Sequence, residues 1–186
     1  MSACRQEGLY SDHVNERDVN VRTPTQLPKP HRADLARLEE ARARTLKAVA
    51  GPSQTQLDTE PEGGGNATST LPYHIAALEA NWLYVEVLQE DFPEEILARF
   101  PVDVRDSDGR LNPVLGVALA AHLDCLSFVR GRLLERFTGI TEDDYRRPRT
   151  LPDYDVTPEW VLHHLAQHEA QHRGQILTLR NKIMTL

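Results

Sequence analysis

The chain has 186 residues, a formal net charge of −7 and two cysteines, Cys4 and Cys125. This length suits one domain with one core, and two cysteines do not make a disulfide framework, which favours a reducing compartment. The acidic balance opposes binding to nucleic-acid phosphates, and we find no apolar run long enough for a secretory signal or a membrane span. We expect a cytoplasmic protein that binds neither nucleic acid nor membranes.

The N-terminal third predicts an arm and a first helix. Residues 1–30 carry three prolines and few large apolar groups, which indicates an extended arm ahead of a domain spanning residues 31–186. The helix is predicted from about His31 to Ala50, where Gly51 and Pro52 end it. Its apolar side carries Leu35, Leu38, Leu46 and Val49, and Glu40 and Arg44 pair on the wet face. A polar, glycine-rich loop follows.

A second helix is predicted to begin at Thr68 or Ser69, either of which can cap it, with Pro72 in the first turn. Its apolar stripe consists of Leu71, Ile75, Leu78, Trp82 and Val85, and His74 lies beside that stripe. A long connection, about residues 91–111, then crosses to the next helix. Its Asp106–Gly109 turn lacks the first and last ligands of a calcium loop.

A third helix is predicted from Asn112 as cap and Pro113 at the first helical position to about Phe137. The inward side chains would be Leu115, Ala118, His122, Leu126, Val129 and Leu133. After a loop over residues 141–155, Thr157 and Pro158 repeat this start for a fourth helix that reaches about Met184. No segment alternates like a strand, so the sequence predicts an all-α four-helix bundle with a long crossover connection.

The fourth helix contains the segment His168-Glu169-Ala170-Gln171-His172. Histidines four apart share one helix face, and they continue the predicted inward seam of Val161, Leu165, Ile176, Leu179 and Ile183. Two inward imidazoles are costly unless they are satisfied, and a divalent metal satisfies both. A hydrogen-bonded pair of core histidines is the alternative. Glu169 is expected to be exposed or to lie just outside the metal ligands.

Two other metal sites fit the sequence poorly. The HExxH spacing is typical of zinc proteases, but Gln175 and Thr178 stand where a metzincin has glycine and histidine, and the fourteen residues after His172 are too few for a later ligand helix. A di-iron bundle needs several inward carboxylates on facing helices. Here Glu79 is the candidate on the second helix, and Asp124 lies off the seam of the third.

The second and fourth predicted helices carry a set of residues whose order and spacing form a pattern. In the second helix these residues are Thr68, His74, Ile75-Ala76-Ala77-Leu78, Glu79 and Trp82. In the fourth they are Thr157, His164, His168, His172, Arg173, Gly174 and Gln175. This pattern resembles the DinB-like (YfiT-like) metalloenzyme superfamily, and the resemblance spans about residues 35–179. It implies a four-helix bundle with one divalent metal, zinc or nickel, held by His74, His168 and His172.

The resemblance also implies a function. Family members with an assigned activity are mostly transferases or isomerases that use small thiols, and others are described as damage-inducible. We therefore expect a metal-dependent enzyme that acts on a small molecule, as a thiol-dependent transferase or isomerase or as a metal-dependent hydrolase. The alternative is a non-catalytic metal-binding or stress-response bundle. A homodimer is expected in either case.

Several neighbouring residues have two interpretations. His164, His122 and Arg173 either support the metal ligands or substrate, or are ordinary structural or surface residues. Gly174 is expected to let a neighbouring segment approach closely. Cys125 is expected to pack in the core and Cys4 lies in the arm, so a reacting thiol would come from solution.

Overall fold

The computed structural model describes residues 29–184, with side chains described from residue 31 to residue 182. Residues 1–28 of the predicted arm, including Cys4, and the side chain of Ile183 therefore lie outside the described residues, whereas Lys29 and Pro30 already belong to the first helix. In chain order the elements are α1 (Lys29–Val49), α2 (Gln54–Asp58), α3 (Thr70–Asn81), a π-helical segment (Trp82–Leu88), α4 (Glu94–Leu97), α5 (Leu119–Thr138), α6 (Glu142–Arg146), β1 (Arg149–Thr150), β2 (Asp155–Val156) and α7 (Pro158–Met184).

Four long helices form the bundle, which confirms the predicted all-α fold. Helix α1 packs mainly against α7, and α3 packs mainly against α5. The main core lies between them and is built mainly of aliphatic side chains with three buried rings, Tyr84, Phe137 and Tyr145. The predicted Glu40–Arg44 pair is present on α1. Leu46, predicted to point inward, is instead more than a third exposed.

The second predicted helix begins at Thr70, and Ser69 takes the cap position without a side-chain cap bond. After Asn81 the backbone widens into the π-helical segment, which ends at Gln89 in the left-handed conformation. The wider turn breaks the 3.6-residue period on which the predicted stripe relies. Val85 is therefore exposed rather than part of the stripe.

The predicted start of the third helix is wrong. Helix α5 begins at Leu119, and the Asn112 side chain donates to the carbonyl of Asp103 instead of capping a helix. Gly116 has φ +72°, a left-handed conformation that a right-handed helix does not contain. Leu115, predicted to be inward, is 45% exposed as a result.

The loop predicted over residues 141–155 contains helix α6 and a small antiparallel hairpin. Strands β1 and β2 pair Arg149 with Val156 and Thr150 with Asp155. Three hydrogen bonds hold this hairpin on the π-helical segment: Arg149 Nε to the Val87 carbonyl, Gln89 Nε2 to the Thr150 carbonyl, and Tyr154 Oη to Glu86 Oε1. The start of α7 was predicted correctly, since the Thr157 hydroxyl accepts from the backbone of Trp160.

Candidate metal centre

Three histidines meet between α3 and α7. His74 comes from α3, and His168 and His172 come from successive turns of α7. The Nε2 atoms of His168 and His74 are 3.1 Å apart, those of His172 and His168 are 2.9 Å apart, and one nitrogen from each ring lies within 4.8 Å of the others. A tetrahedral zinc ion sets neighbouring nitrogens about 3.3 Å apart. This histidine cluster can therefore hold a metal ion.

The rings of the histidine cluster favour the neutral form that binds metal. Burial, with repulsion from His172, lowers the pKa of His74 to about 4. Burial and repulsion from His172 and His74 lower the pKa of His168 to about 3, and burial also lowers the pKa of His172. The guanidinium of Arg105, in the connection before α5, lowers all three further. All three lone pairs are thus available near neutral pH.

Hydrogen bonding among the three rings is incomplete. Gln175 Oε1 accepts from His172 Nδ1 at 2.7 Å, so the proton of His172 lies on Nδ1 and its Nε2 offers a lone pair. His168 Nε2 contacts both this lone pair and His74 Nε2. A neutral His168 ring has at most one proton on Nε2, so it cannot donate a good hydrogen bond to both neighbours. His74 Nδ1 is buried without a hydrogen-bond partner. A cation at the three Nε2 atoms satisfies the converging lone pairs, so the residues fit a divalent metal.

Glu169 lies between the two α7 ligands in sequence, but its carboxylate pairs with arginines of α1 and α5 instead of joining the histidines. It is 1% exposed and accepts from Arg42 at 2.7 Å and from Arg130 at 3.0 Å. The prediction of an exposed carboxylate or one next to the ligands is therefore wrong. The buried stripe of α7 is centred nearer to Glu169 than to the histidines, and it includes Leu162, Leu165 and Ile176.

Glu169 belongs to a buried cluster of two arginines and two glutamates. Glu79 of α3 accepts from Arg42 at 2.7 Å and from Arg130 at 2.7 and 2.9 Å. Burial opposes the charge of Glu79, but Arg130 and Arg42 outweigh it and hold the pKa of this carboxyl below its usual value. We call Arg42, Glu79, Arg130 and Glu169 the ion-pair cluster. Because α1, α3, α5 and α7 each supply one member, it ties the four long helices together.

The ion-pair cluster also bears on the alternative metal sites. Two arginines occupy each buried carboxylate, so neither Glu79 nor Glu169 is free to bridge two irons. The same pairing prevents Glu169 from serving as the general base of a zinc protease. Asp124, the remaining candidate, is mostly exposed and pairs with Arg99.

The predicted neighbours of the site lie at different distances from it. His164 stacks near His168, with ring centroids 6.1 Å apart, and also packs on Trp82 and Trp160. His122 is buried with its Nε2 unpartnered near Asp58, and it does not join the histidine cluster. Arg173 is half-buried and forms no ion pair among residues 31–182. Support of the ligands by these three residues stays a prediction.

Two further sequence predictions concern small side chains. Cys125 is buried in the core, as predicted, and burial raises the pKa of its thiol. Gly174 has no neighbour within 4 Å of the position that a Cβ would take. The prediction of a close approach at Gly174 is therefore wrong.

Sequence reasoning assigned no role to Gln175 or to Arg105. Gln175 is three residues after His172, a spacing that places both side chains on the same helix face and was therefore a usable signal. Arg105 lies far from the histidines in sequence, within an irregular connection. Its proximity depends on the path of that connection, which the sequence does not indicate.

The family match agrees with this arrangement. A model of the DinB superfamily matches residues 37–176. The chain belongs to the DinB superfamily. No curated protein matches it. The matched range of this DinB-superfamily chain includes all three members of the histidine cluster. No described helix is long and apolar enough to cross a membrane.

Proposed function

We propose that this DinB-superfamily protein is a metal-dependent enzyme that uses a small thiol from solution to attack an electrophilic substrate. The observation that carries the proposal is the convergence of the Nε2 atoms of three neutral imidazoles, whose mutual hydrogen bonding is incomplete. Among the described residues, no fourth His, Cys, Asp or Glu joins the group. Three imidazoles with an open position are typical of catalytic rather than structural sites.

The protein residues have separate tasks in this proposal. His74, His168 and His172 would hold zinc or nickel, both of which accept imidazole ligands. A divalent metal with an open position lowers the pKa of a bound thiol or water and so supplies a nucleophile near neutral pH. Gln175 fixes the proton of His172 on Nδ1. The charge of Arg105, which acts on all three rings, favours an anionic group beside them.

A thiol from solution is favoured because the described part of the chain offers no good internal nucleophile. Cys125 is buried and its pKa is raised, so little reactive thiolate forms at neutral pH. In the transfer itself, a sulfur–carbon bond forms to the electrophile and the bond to its leaving group breaks. With a chlorinated dinitrobenzene, chloride leaves and the thiol proton passes to solvent.

The ligand set is tested by metal analysis of protein purified without a histidine tag. We expect about one zinc or nickel ion per chain, most of it lost in His168→Ala while the helical circular dichroism remains. His163→Ala is the matched control, because His163 is on the same helix but exposed. Stoichiometric metal in a variant lacking all three ligands would refute the assignment.

The activity is tested by mixing metal-loaded protein with several cellular thiols and the chlorinated dinitrobenzene. Conversion should need both metal and thiol, disappear in His172→Ala, and persist in Cys4→Ser and Cys125→Ser. Equal conversion by apo and loaded protein would remove the mechanism. Metal-dependent hydrolysis of esters or amides without thiol would instead favour the hydrolase.

The non-catalytic alternative keeps the same ligands without turnover. A metal-loaded protein that converts no substrate across the thiol and ester panels, yet gains stability from its ion, would favour that alternative.

We further propose that the protein is a cytosolic homodimer, as two-fold oligomers are the commonest assemblies. A monomeric mass by light scattering at about 10–100 μM would contradict the dimer.

A further inference from the structure

A row of rings runs from His168 through His164 to Trp82 and Trp160. A concave site lies at the far end of this row. It is a cavity of about 650 Å³ between the π-helical segment, the hairpin and the start of α7. Its lining consists of Trp82, Pro148, Tyr154, Asp155, Val156, Thr157 and Trp160. We call it the aromatic pocket. None of the residues that line it belongs to the histidine cluster.

Three aromatic rings form the walls of this pocket. The ring centroids of Trp82 and Trp160 are 5.4 Å apart at an interplanar angle of 50°, and those of Trp82 and Tyr154 are 6.5 Å apart at 42°. Tyr154 and Trp160 are each 47% exposed, although large aromatic side chains are usually more buried. Tilted rings around one space present their electron-rich faces to an occupant.

The pocket is built into the fold rather than formed by loose surface side chains. The hairpin that carries Tyr154 and Asp155 is held to the π-helical segment by three hydrogen bonds from Arg149, Gln89 and Tyr154. Trp160 stacks on His164 with an interplanar angle of 9°, and the same imidazole packs against Trp82. The rings are therefore already oriented before a ligand arrives.

The charged side chain that lines the pocket is negative. Asp155 lines it, and no lysine or arginine does. Behind Tyr154 lies Glu86, which is 6% exposed and accepts the tyrosine hydroxyl at 2.9 Å with Oε1, while its Oε2 has no hydrogen-bond partner. The Arg149 guanidinium beneath the hairpin is engaged by Asp144 and backbone carbonyls. An anionic ligand would be repelled here.

We propose that the aromatic pocket binds an alkylammonium group, with the cation on the faces of Trp82, Tyr154 and Trp160 and with Asp155 at the rim. Aromatic faces attract cations, and several rings around one space are the usual way in which proteins bind quaternary ammonium ligands. The hydroxyl of Tyr154 donates to Glu86, which makes the ring more electron-rich. The ligand class is thus a quaternary or protonated amine attached to a small apolar body.

The chain provides its own reporter for this site. It has two tryptophans, Trp82 and Trp160, and both line the pocket. Titration of the full-length protein with choline should change tryptophan fluorescence saturably. The choline methyl proton resonance should move upfield, because the methyl groups lie over ring faces. The uncharged isostere of choline, with a tert-butyl group in place of trimethylammonium, should bind at least about tenfold more weakly.

Two variants test the walls and the rim separately. Trp160→Leu, at an exposed position, should abolish the response of Trp82 and the upfield shift. Asp155→Asn should weaken choline binding several-fold. Asp153→Asn is the matched control: it makes the same charge change in the same hairpin but does not line the pocket, and it should bind choline like the wild type.

Three results would overturn the proposal. The first is equal affinity for choline and its uncharged isostere, which would make the pocket merely apolar. The second is the absence of a saturable response at up to about 20 mM choline, a range that detects a millimolar complex. The third is equal weakening by Asp155→Asn and Asp153→Asn. None of these results bears on the metal or thiol dependence of the proposed enzyme.

Discussion

The bundle contains two polar clusters, one buried and one partly buried, that differ in how well their hydrogen bonds are satisfied. In the ion-pair cluster, each of the two carboxylates accepts from both guanidinium groups, and Arg130 also pairs with Glu39. In the histidine cluster, lone pairs face one another and a buried ring nitrogen has no partner. Buried polar groups are nearly always paired, so the first cluster is complete, whereas the second could hold a metal ion. The ion-pair cluster ties the four long helices together, and the histidine cluster is the candidate metal site.

The largest expected loss of stability comes from removing one member of the ion-pair cluster. Glu169→Ala removes one of the two carboxylate partners of Arg42 and one of the three of Arg130. Removing one partner of a buried pair typically costs about 3–5 kcal/mol. Urea unfolding followed by circular dichroism should show that loss in the free energy of unfolding. The matched control is Asp124→Ala, which removes an exposed carboxylate paired with Arg99 and should cost under about 1 kcal/mol. Similar losses in both variants would contradict the structural role.

Binding of a metal ion to the histidine cluster should stabilise the folded protein. At a free zinc or nickel concentration one hundred times the dissociation constant, binding to the folded state alone adds about 2.7 kcal/mol. Calorimetry should show a higher Tm in the wild type, reversed by a chelator and absent in His168→Ala. In metal-free protein, His168→Ala should cost less than Glu169→Ala, because it removes a group that is already unsatisfied. A larger cost for His168→Ala would mean that the histidine cluster is itself structural.

A smaller effect is expected at Gln175, which fixes the proton of His172. Loss of such a partner of a metal ligand typically weakens metal binding about 10–100-fold. Gln175→Ala should therefore lower the affinity in a competition titration with a metal-binding dye. Gln171→Ala removes an exposed glutamine from the same helix and should leave the affinity unchanged. If both variants bind metal like the wild type, the Gln175 hydrogen bond has no role in binding.

The smallest effect is expected at Gly174, between His172 and Gln175. The glycine has open space around it in a helix, where alanine is favoured by about 0.5–1 kcal/mol. Gly174→Ala should raise the free energy of unfolding by about that amount without changing metal affinity. Gly131→Ala, in similarly open space on α5, should act alike. A selective loss of metal affinity at Gly174 would show that its small size serves the site.

The sequence predicted what depends on local spacing. Thr157 and Pro158 marked the beginning of α7, and the four-residue interval between His168 and His172 placed both rings on one face. His74 followed from the family resemblance rather than from its own surroundings. The helices and the three candidate ligands could therefore be assigned without coordinates.

The ion-pair cluster was missed because its partners are distant in the chain. Arg42 and Glu169 are 127 residues apart, and a charged side chain in a helical pattern normally indicates an exposed face. The predicted buried seam of α7 was therefore centred on the histidines, whereas the observed buried stripe is centred nearer to Glu169. The start of α5 was misplaced for a different reason. Asn112 and Pro113 have the right local chemistry, but Gly116 adopts a backbone conformation incompatible with a helix.

The position of Glu169 fixes how α7 is rotated about its long axis. A slip of one residue would turn the helix by about 100° and carry the carboxylate away from both arginines. The ion pairs of Glu169 thus also fix the directions of the neighbouring His168 and His172 side chains without help from a metal ion. We expect the chain to fold fully in a cell starved of metal and to take up its ion afterwards. Loading would then follow the cell's metal supply rather than the timing of synthesis.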